Sequence, residues 1–499
     1  VLVLIPLRSV ICPTALLVSG WIAVGIATPR ACAQSPSPTA TVRLVVDRTP
    51  PTQVDDATRR EPTITGVSWP ELRTLPPVDS QAMPSPHDDM PLETLSQAWA
   101  VALQVDHQLA AKRLDASAAS QSLHSAQAER WPLFGIESAY NLRSDEPSFR
   151  INSAAIPLAA RTFPYAQDES FSYHAKIEIP LYTSGRIGHG VEAANARAAS
   201  AALDVTDSLI DLKMQVAEEY VDVLRTQREV EVMQSTVRSL QAHSNDVEML
   251  FRHRQVPQND LLAAQVTTSD ARQRATQATL AADSARAAYN RRLGRPMTSP
   301  VRIAELPIVP VAEDLDLLTD RALRQRPGIA RLSAEAESLR HQASSLRAEN
   351  LPQMALQGEY AFEENQYQSP NGIVGLGVGV RWNVYDGGRN RYEVAALLQR
   401  AKALVQARVD LESWIALRVR QAWLQVRETR ERIEVTAEAI QQAEENLRVS
   451  KQRYSLGVGT NTEVLDAERS RTESSRNHDN ARFDAVLAVL RLQHATGDL

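Results

Sequence analysis

The chain carries one unit twice. Ala102-Leu103, Leu109, Pro132 and Tyr140 recur 220 positions later as Ala322-Leu323, Ile329, Pro352 and Tyr360. Farther along, the offset falls to 203 and stays there: Tyr182, Gly185-Arg186, Phe251, Leu262, Ala264 and Gly294 meet Tyr385, Gly388-Arg389, Tyr454, Leu465, Ala467 and Gly497. A constant offset over so long a stretch means that each copy is one structural unit packed on its neighbour. The copies span 92–306 and 307–499, and the fall in offset puts 17 extra residues between Tyr140 and Tyr182 of the first.

Within each copy the order of patterns is the same. A helical stretch opens it, from Leu92 to Arg130 and from Leu315 to Asn350, and a strand pair, a very long helix and a shorter helix follow. Residues 191–256 and 389–456 contain neither Gly nor Pro. Along the second stretch Ile415, Val419, Ala422, Val426, Ile433, Ala437, Ile440 and Leu447 step by three, four or seven, a coiled-coil seam. At about 1.5 Å per residue such a helix is about 100 Å long, more than a compact domain can use. Two shorter stretches stacked end to end match its length.

The strand pairs alternate with a period of two. Phe171, Tyr173, Ala175, Ile177, Ile179 and Leu181 alternate with polar residues, and Val374, Leu376, Val378, Val380, Trp382 and Val384 with Gly375, Gly377, Gly379, Arg381 and Asn383. Their partners are Phe134, Ile136, Tyr140 and Leu142, then Met354, Leu356, Tyr360 and Phe362. Outer-membrane strands alternate in this way, and so do half-buried soluble hairpins. Four strands cannot close a barrel, and lipid does not tolerate an open edge, so membrane strands must be pooled between chains. Three chains supply twelve.

Ahead of the repeats, residues 1–33 hold Arg8, an apolar run from Val10 to Ala27, and Ala31-Cys32-Ala33, the layout of an export signal. Cleavage after Ala33 removes both cysteines and leaves 52 basic against 60 acidic residues; a lipidated Cys32 is the competing reading. Residues 34–91 hold 11 of the 27 prolines and read as an extended or disordered segment. The acidic balance excludes the clustered basic surplus of a nucleic-acid binder. A mean hydropathy of -0.29 excludes a bundle of membrane helices but not a barrel. The ten histidines show no short-range metal-ligand spacing and no G-x-S-x-G occurs, so neither an enzyme nor a cofactor is indicated.

Three segments carry a family resemblance: Pro180-Leu181-Tyr182-Thr183-Ser184-Gly185-Arg186, its partner Trp382-Asn383-Val384-Tyr385-Asp386-Gly387-Gly388-Arg389, and Arg453-Tyr454-Ser455-Leu456-Gly457-Val458-Gly459-Thr460 followed by Glu463-Val464-Leu465-Asp466-Ala467. With the duplication, they make the chain resemble the TolC-like outer-membrane efflux family from Leu92 to Gly497. The resemblance implies a mainly α fold with a β-barrel part: a homotrimer whose twelve-stranded barrel in outer-membrane lipid continues as a helical barrel through the periplasm. It implies a passive duct for small molecules or proteins, docked to a periplasmic adaptor and energised by an inner-membrane transporter, as in tripartite efflux or type I secretion. A periplasmic helical scaffold without a pore is the alternative, but it has no reason to carry four apolar strand faces.

By the same resemblance, Gly457, Val458, Gly459 and Thr460 form a periplasmic tip where adaptors dock, with Val256 and Pro257 at the matching turn. Asp260, Glu463 and Asp466 would line a constriction as acidic rings. The first turn, Arg254-Gln255-Val256-Pro257-Gln258, has no glycine, which leaves open whether both turns present the same backbone surface. Gly459 stands where some relatives have an arginine that bridges helices, so the closed tip is expected to rely on other contacts. Thr460 or Thr462 is placed to cap the following helix.

Overall fold

A computed structural model describes residues 92–151, 161–310 and 314–499; the expected export signal and Pro-rich segment lie outside the described residues. The first copy comprises α1 (Leu95–Val105), α2 (His107–Ala128), β1 (Leu133–Leu142), β2 (Ser148–Ile151), β3 (Arg161–Pro164), β4 (Glu169–Tyr182), α3 (Arg186–Arg252) and α4 (Gln258–Arg292). The second comprises α5 (Leu315–Gln325), α6 (Pro327–Ala348), β5 (Gln353–Glu363), β6 (Gly372–Arg381), α7 (Arg389–Ser455) and α8 (Asn461–Thr496). The long helices α3 and α7 have 67 residues each.

Local chemistry sets the boundaries. The opening stretch of each copy is two helices rather than one. Asp106 takes an extended conformation and its Oδ1 accepts from Leu109 N at 2.8 Å, so one residue ends α1 and caps α2. Arg326 breaks the second stretch because Pro327 follows it and disfavours the helical region. Helix α3 starts five residues before the expected stretch, taking in Gly188 and Gly190, and stops at Arg252. The strand-to-helix corners use left-handed backbone: Gly185 has φ 86°, Gly387 73° and Gly388 87°.

The four principal strands form one antiparallel sheet in the order β1-β4-β5-β6. Strand β6 ends at Arg381, so Trp382 and Val384, expected inside it, lie in the connection to α7. The 17 extra residues correspond to a separate small hairpin of β2 and β3, tied at its base where Asn365 Nδ2 donates to Tyr165 O at 2.9 Å.

Register sorts the sheet into two faces. Phe134 pairs with Ile177, Ile136 with Ala175, Ala175 with Tyr360, and Tyr360 with Val374. One face is therefore apolar across all four strands. On the other, Lys176 lies 3.7 Å from Glu137 and His174 3.1 Å from Glu359. The apolar face is uncovered within one chain: Leu376 is 79% exposed and Ile136 65%. Strands β1 and β6 each keep one unpaired edge.

The helices pack side by side. Along α3, α2 lies beside the sheet-proximal half, where Lys112 meets Asp204 at 2.8 Å, and α4 beside the distal half, where Arg292 meets Glu219 at 2.8 Å. The two shorter helices do stack along one long one. On α7 the seam turns inward, with Ile415, Val419, Ala422 and Leu447 buried. At mid-length Tyr220 and Tyr289 are fully buried, and Tyr220 Oη donates to the carbonyls of Glu93 (2.9 Å) and Ala304 (2.7 Å). No described helix is long and apolar enough to cross a membrane.

Candidate functional site

At the end of the helices away from the sheet, α3 turns into α4 and α7 into α8. Their backbones match despite the missing glycine. Arg254 adopts the left-handed region at φ 60° where its counterpart Gly457 has 73°. Arg254 N donates to Phe251 O as Gly457 N does to Tyr454 O, and Gln255 N to Leu250 O as Val458 N does to Arg453 O. The turns part at the next residue. Gly459 N donates to Arg453 O at 3.1 Å, and a Cβ there would lie 3.0 Å from Arg453 Cβ. Val256 instead packs on the small apolar core of the tip, formed by Val247, Ala264, Leu447, Tyr454, Val464 and Ala467.

Of the two threonines offered as caps, Thr460 serves, its Oγ1 accepting from Glu463 N at 3.3 Å; Pro257 at the matching position offers no side-chain acceptor. The three acidic residues differ in surroundings. Asp260 is half-buried beside Tyr454, whose hydroxyl is pushed up in pKa first by burial and then by that carboxylate. Glu463 is exposed, with Arg453 Nε 3.8 Å away, so an arginine does join α7 to α8, six residues ahead of Gly459. Asp466 is exposed and has no ion-pair partner among the described residues; it lies in an open groove between α4 and α8, beside Ala263 and Arg469.

The sequence analysis singled out none of the residues that fasten the two hairpins together. Asn461, 3% exposed, donates from Nδ2 to Asp260 O at 3.0 Å and accepts at Oδ1 from His243 Nε2 at 2.8 Å. The His243 ring meets Tyr454 edge-on at 5.3 Å between centroids. Burial holds the imidazole pKa below its ordinary value, against the pull of the Asn461 bond.

Seven residues along α8, Glu468 is buried and receives Arg471 at 2.7 Å, Ser239 Oγ at 2.7 Å and Lys451 at 3.6 Å, joining α3, α7 and α8. A buried charge of this kind holds only if its partners stay in place. One sequence signal pointed there: Asn461 and Glu468 share a heptad stripe with Val464, polar residues where a seam is otherwise apolar.

The structure superposes on VceC from Vibrio cholerae with a TM-score of 0.69 at 18% identity, over 81% of this chain and 96% of that one. The MtrE outer membrane channel of Neisseria gonorrhoeae superposes with a TM-score of 0.64 at 17% identity, over 81% of this chain and 88% of that one. The fold is thus the one these outer-membrane proteins share. The chain belongs to the outer membrane efflux protein family, whose model matches residues 100–295 and 318–498. Among curated relatives, the outer membrane protein TolC of Vibrio cholerae is 25% identical over 198 residues, 38% of this chain and 44% of that protein. The alkaline protease secretion protein AprF of Pseudomonas aeruginosa is 23% identical over 306 residues, 58% of this chain and 62% of that protein.

Proposed function

We propose that three copies of the chain close a twelve-stranded barrel in the outer membrane and continue it as a helical tunnel into the periplasm, a passive exit duct for efflux or secretion. One observation carries this reading: a four-stranded sheet with a single uncovered apolar face and two unpaired edges. Lipid accepts that face, and only pairing with further copies satisfies the edges. The names of the curated relatives, a secretion protein among them, agree with a conduit. Energy comes from an inner-membrane transporter, reached through a periplasmic adaptor that docks on the two helical turns around Val256-Pro257 and Gly457 to Thr460.

Three-fold symmetry would gather Asp260, Glu463 and Asp466 into acidic rings that favour cations. Asp466 carries most of that effect, because Arg453 partly neutralises Glu463. Purified protein in a planar bilayer is expected to give cation-selective single-channel currents and, in detergent, a mass three times that of one chain. Asp466→Asn should lower the cation preference more than Glu463→Gln does. A soluble monomer that conducts nothing sinks the duct; an unchanged cation preference in Asp466→Asn removes Asp466 from the constriction.

A further inference from the structure

Just below the sheet, α3 and α6 bring two imidazoles and a carboxylate to one point. Glu192 Oε2 lies 3.0 Å from His189 Nδ1 and 3.0 Å from His341 Nδ1. The three residues can offer one donor atom each, all within 4.8 Å of one another. We propose that His189, Glu192 and His341 form a binding site for a divalent transition-metal ion of the zinc class, which pins the first copy of the repeat to the second.

The distances fit such an ion. Bonds of about 2.0–2.1 Å in a tetrahedron put neighbouring donors about 3.3 Å apart, and two edges of this triangle already approach that value. Two nitrogens and one oxygen suit Zn²⁺, Cu²⁺ or Ni²⁺; Mg²⁺ and Ca²⁺ call for oxygen ligands throughout. His189 and Glu192 are three residues apart on α3, so one helical face presents both. His341 comes from the opposite helix, in the other copy. The fourth position is open to water, since the three side chains are 43%, 55% and 30% exposed. That exposure also gives the ion a way in.

The scaffold around the triad is held before any ion arrives. One turn to either side of His341, Ser338 Oγ donates to Ala193 O at 2.8 Å and Ser345 Oγ to Arg186 O at 2.9 Å. Ala193, Ala336 and Ala343 are buried, and Gly190 faces Ser345, so small residues let the two helices approach closely. Without a metal, each Nδ1–H can donate to the shared carboxylate oxygen. Binding requires each Nδ1 to present its lone pair and the ring proton to sit on Nε2, a tautomer change that costs no ring rotation. Any imidazolium or carboxylic acid must release its proton first.

The test is equilibrium dialysis of the full-length protein in detergent against Zn²⁺, with a hundredfold excess of Mg²⁺ present, followed by metal analysis. The wild type is expected to retain one Zn²⁺ per chain, and the midpoint of thermal unfolding should rise with Zn²⁺. His189→Gln and His341→Gln should each weaken binding by at least about tenfold. Both keep a polar side chain that can still hydrogen-bond Glu192, and an unchanged mass and helical content without metal check that they fold. Replacing Zn²⁺ by Co²⁺ should give visible absorption bands in the wild type that disappear in both variants. Equal retention of Zn²⁺ by the wild type and both variants, or no retention by the wild type, overturns the assignment.

Discussion

At the scale of single residues, the tip turns on a buried imidazole. His243 faces Asn461, Lys451, Asp246 and Glu468, and burial is the largest influence on its pKa, holding it down. A tip that has come apart takes up a proton near 6.5, whereas the closed tip resists protonation until the pH is lower. Stability is therefore full above about 6.5, is lost as the pH falls through that value, and levels off below the folded pKa. Amide exchange around Val464, corrected for intrinsic rates, should be faster at pH 5.5 than at pH 7.5. In His243→Gln, which keeps a donor for Asn461, that difference should vanish; a difference that persists assigns the pH response to another group. Thr460 and Glu463 could be singled out from sequence because caps and first-turn acids have local signatures, whereas Asp466 came only from the family resemblance. The contact between His243 and Asn461 joins residues 218 apart, and no local pattern announces it.

At the scale of elements, the two turns show one backbone path reached by two sequences. Arg254 holds a left-handed conformation that glycine adopts freely and other residues adopt at about 1–2 kcal/mol. At Gly459 the restriction is steric rather than dihedral, since an added Cβ would meet Arg453 Cβ at 3.0 Å and Tyr454 N at 3.1 Å. Gly459→Ala should therefore destabilise the α7–α8 turn by at least about 1 kcal/mol, and Val256→Ala should lose only packing. Differential exchange at the two turns measures both, and equal effects at Gly459 and Val256 would contradict the steric account. Helix existence and length were readable here because absence of Gly and Pro over sixty residues leaves few other folds. The breaks at Asp106 and Arg326 depended on one cap and one proline. The end of β6 at Arg381 was missed because Trp382 and Val384 continue the alternation after the pairing has stopped.

At the scale of the whole molecule, the two faces of the sheet predict opposite tolerances. Leu376→Arg places a charge on the apolar face, which in lipid costs about 2–4 kcal/mol near the midplane. Gln357→Arg adds the same charge to the polar face, where Glu178 is its cross-strand neighbour. The first should abolish recovery of the protein from the outer-membrane fraction, and the second should leave it unchanged. Loss of both would show that the faces are not distinguished by lipid. The duplication and the faces could be read from offsets and period alone, but the strand order could not, because β4 bonds to a strand of the other copy.

That pairing also orders events in time. His174 and Glu359, bonded across β4 and β5, are 185 residues apart, while α3 with α4 and α7 with α8 are neighbours in sequence. Local hairpins of helix can form as the chain emerges, but the central seam of the sheet must wait until the second copy has been made. Until then β4 presents an unpaired edge, so a chain arrested before Gln353 is the form most exposed to mispairing and to escort by chaperones.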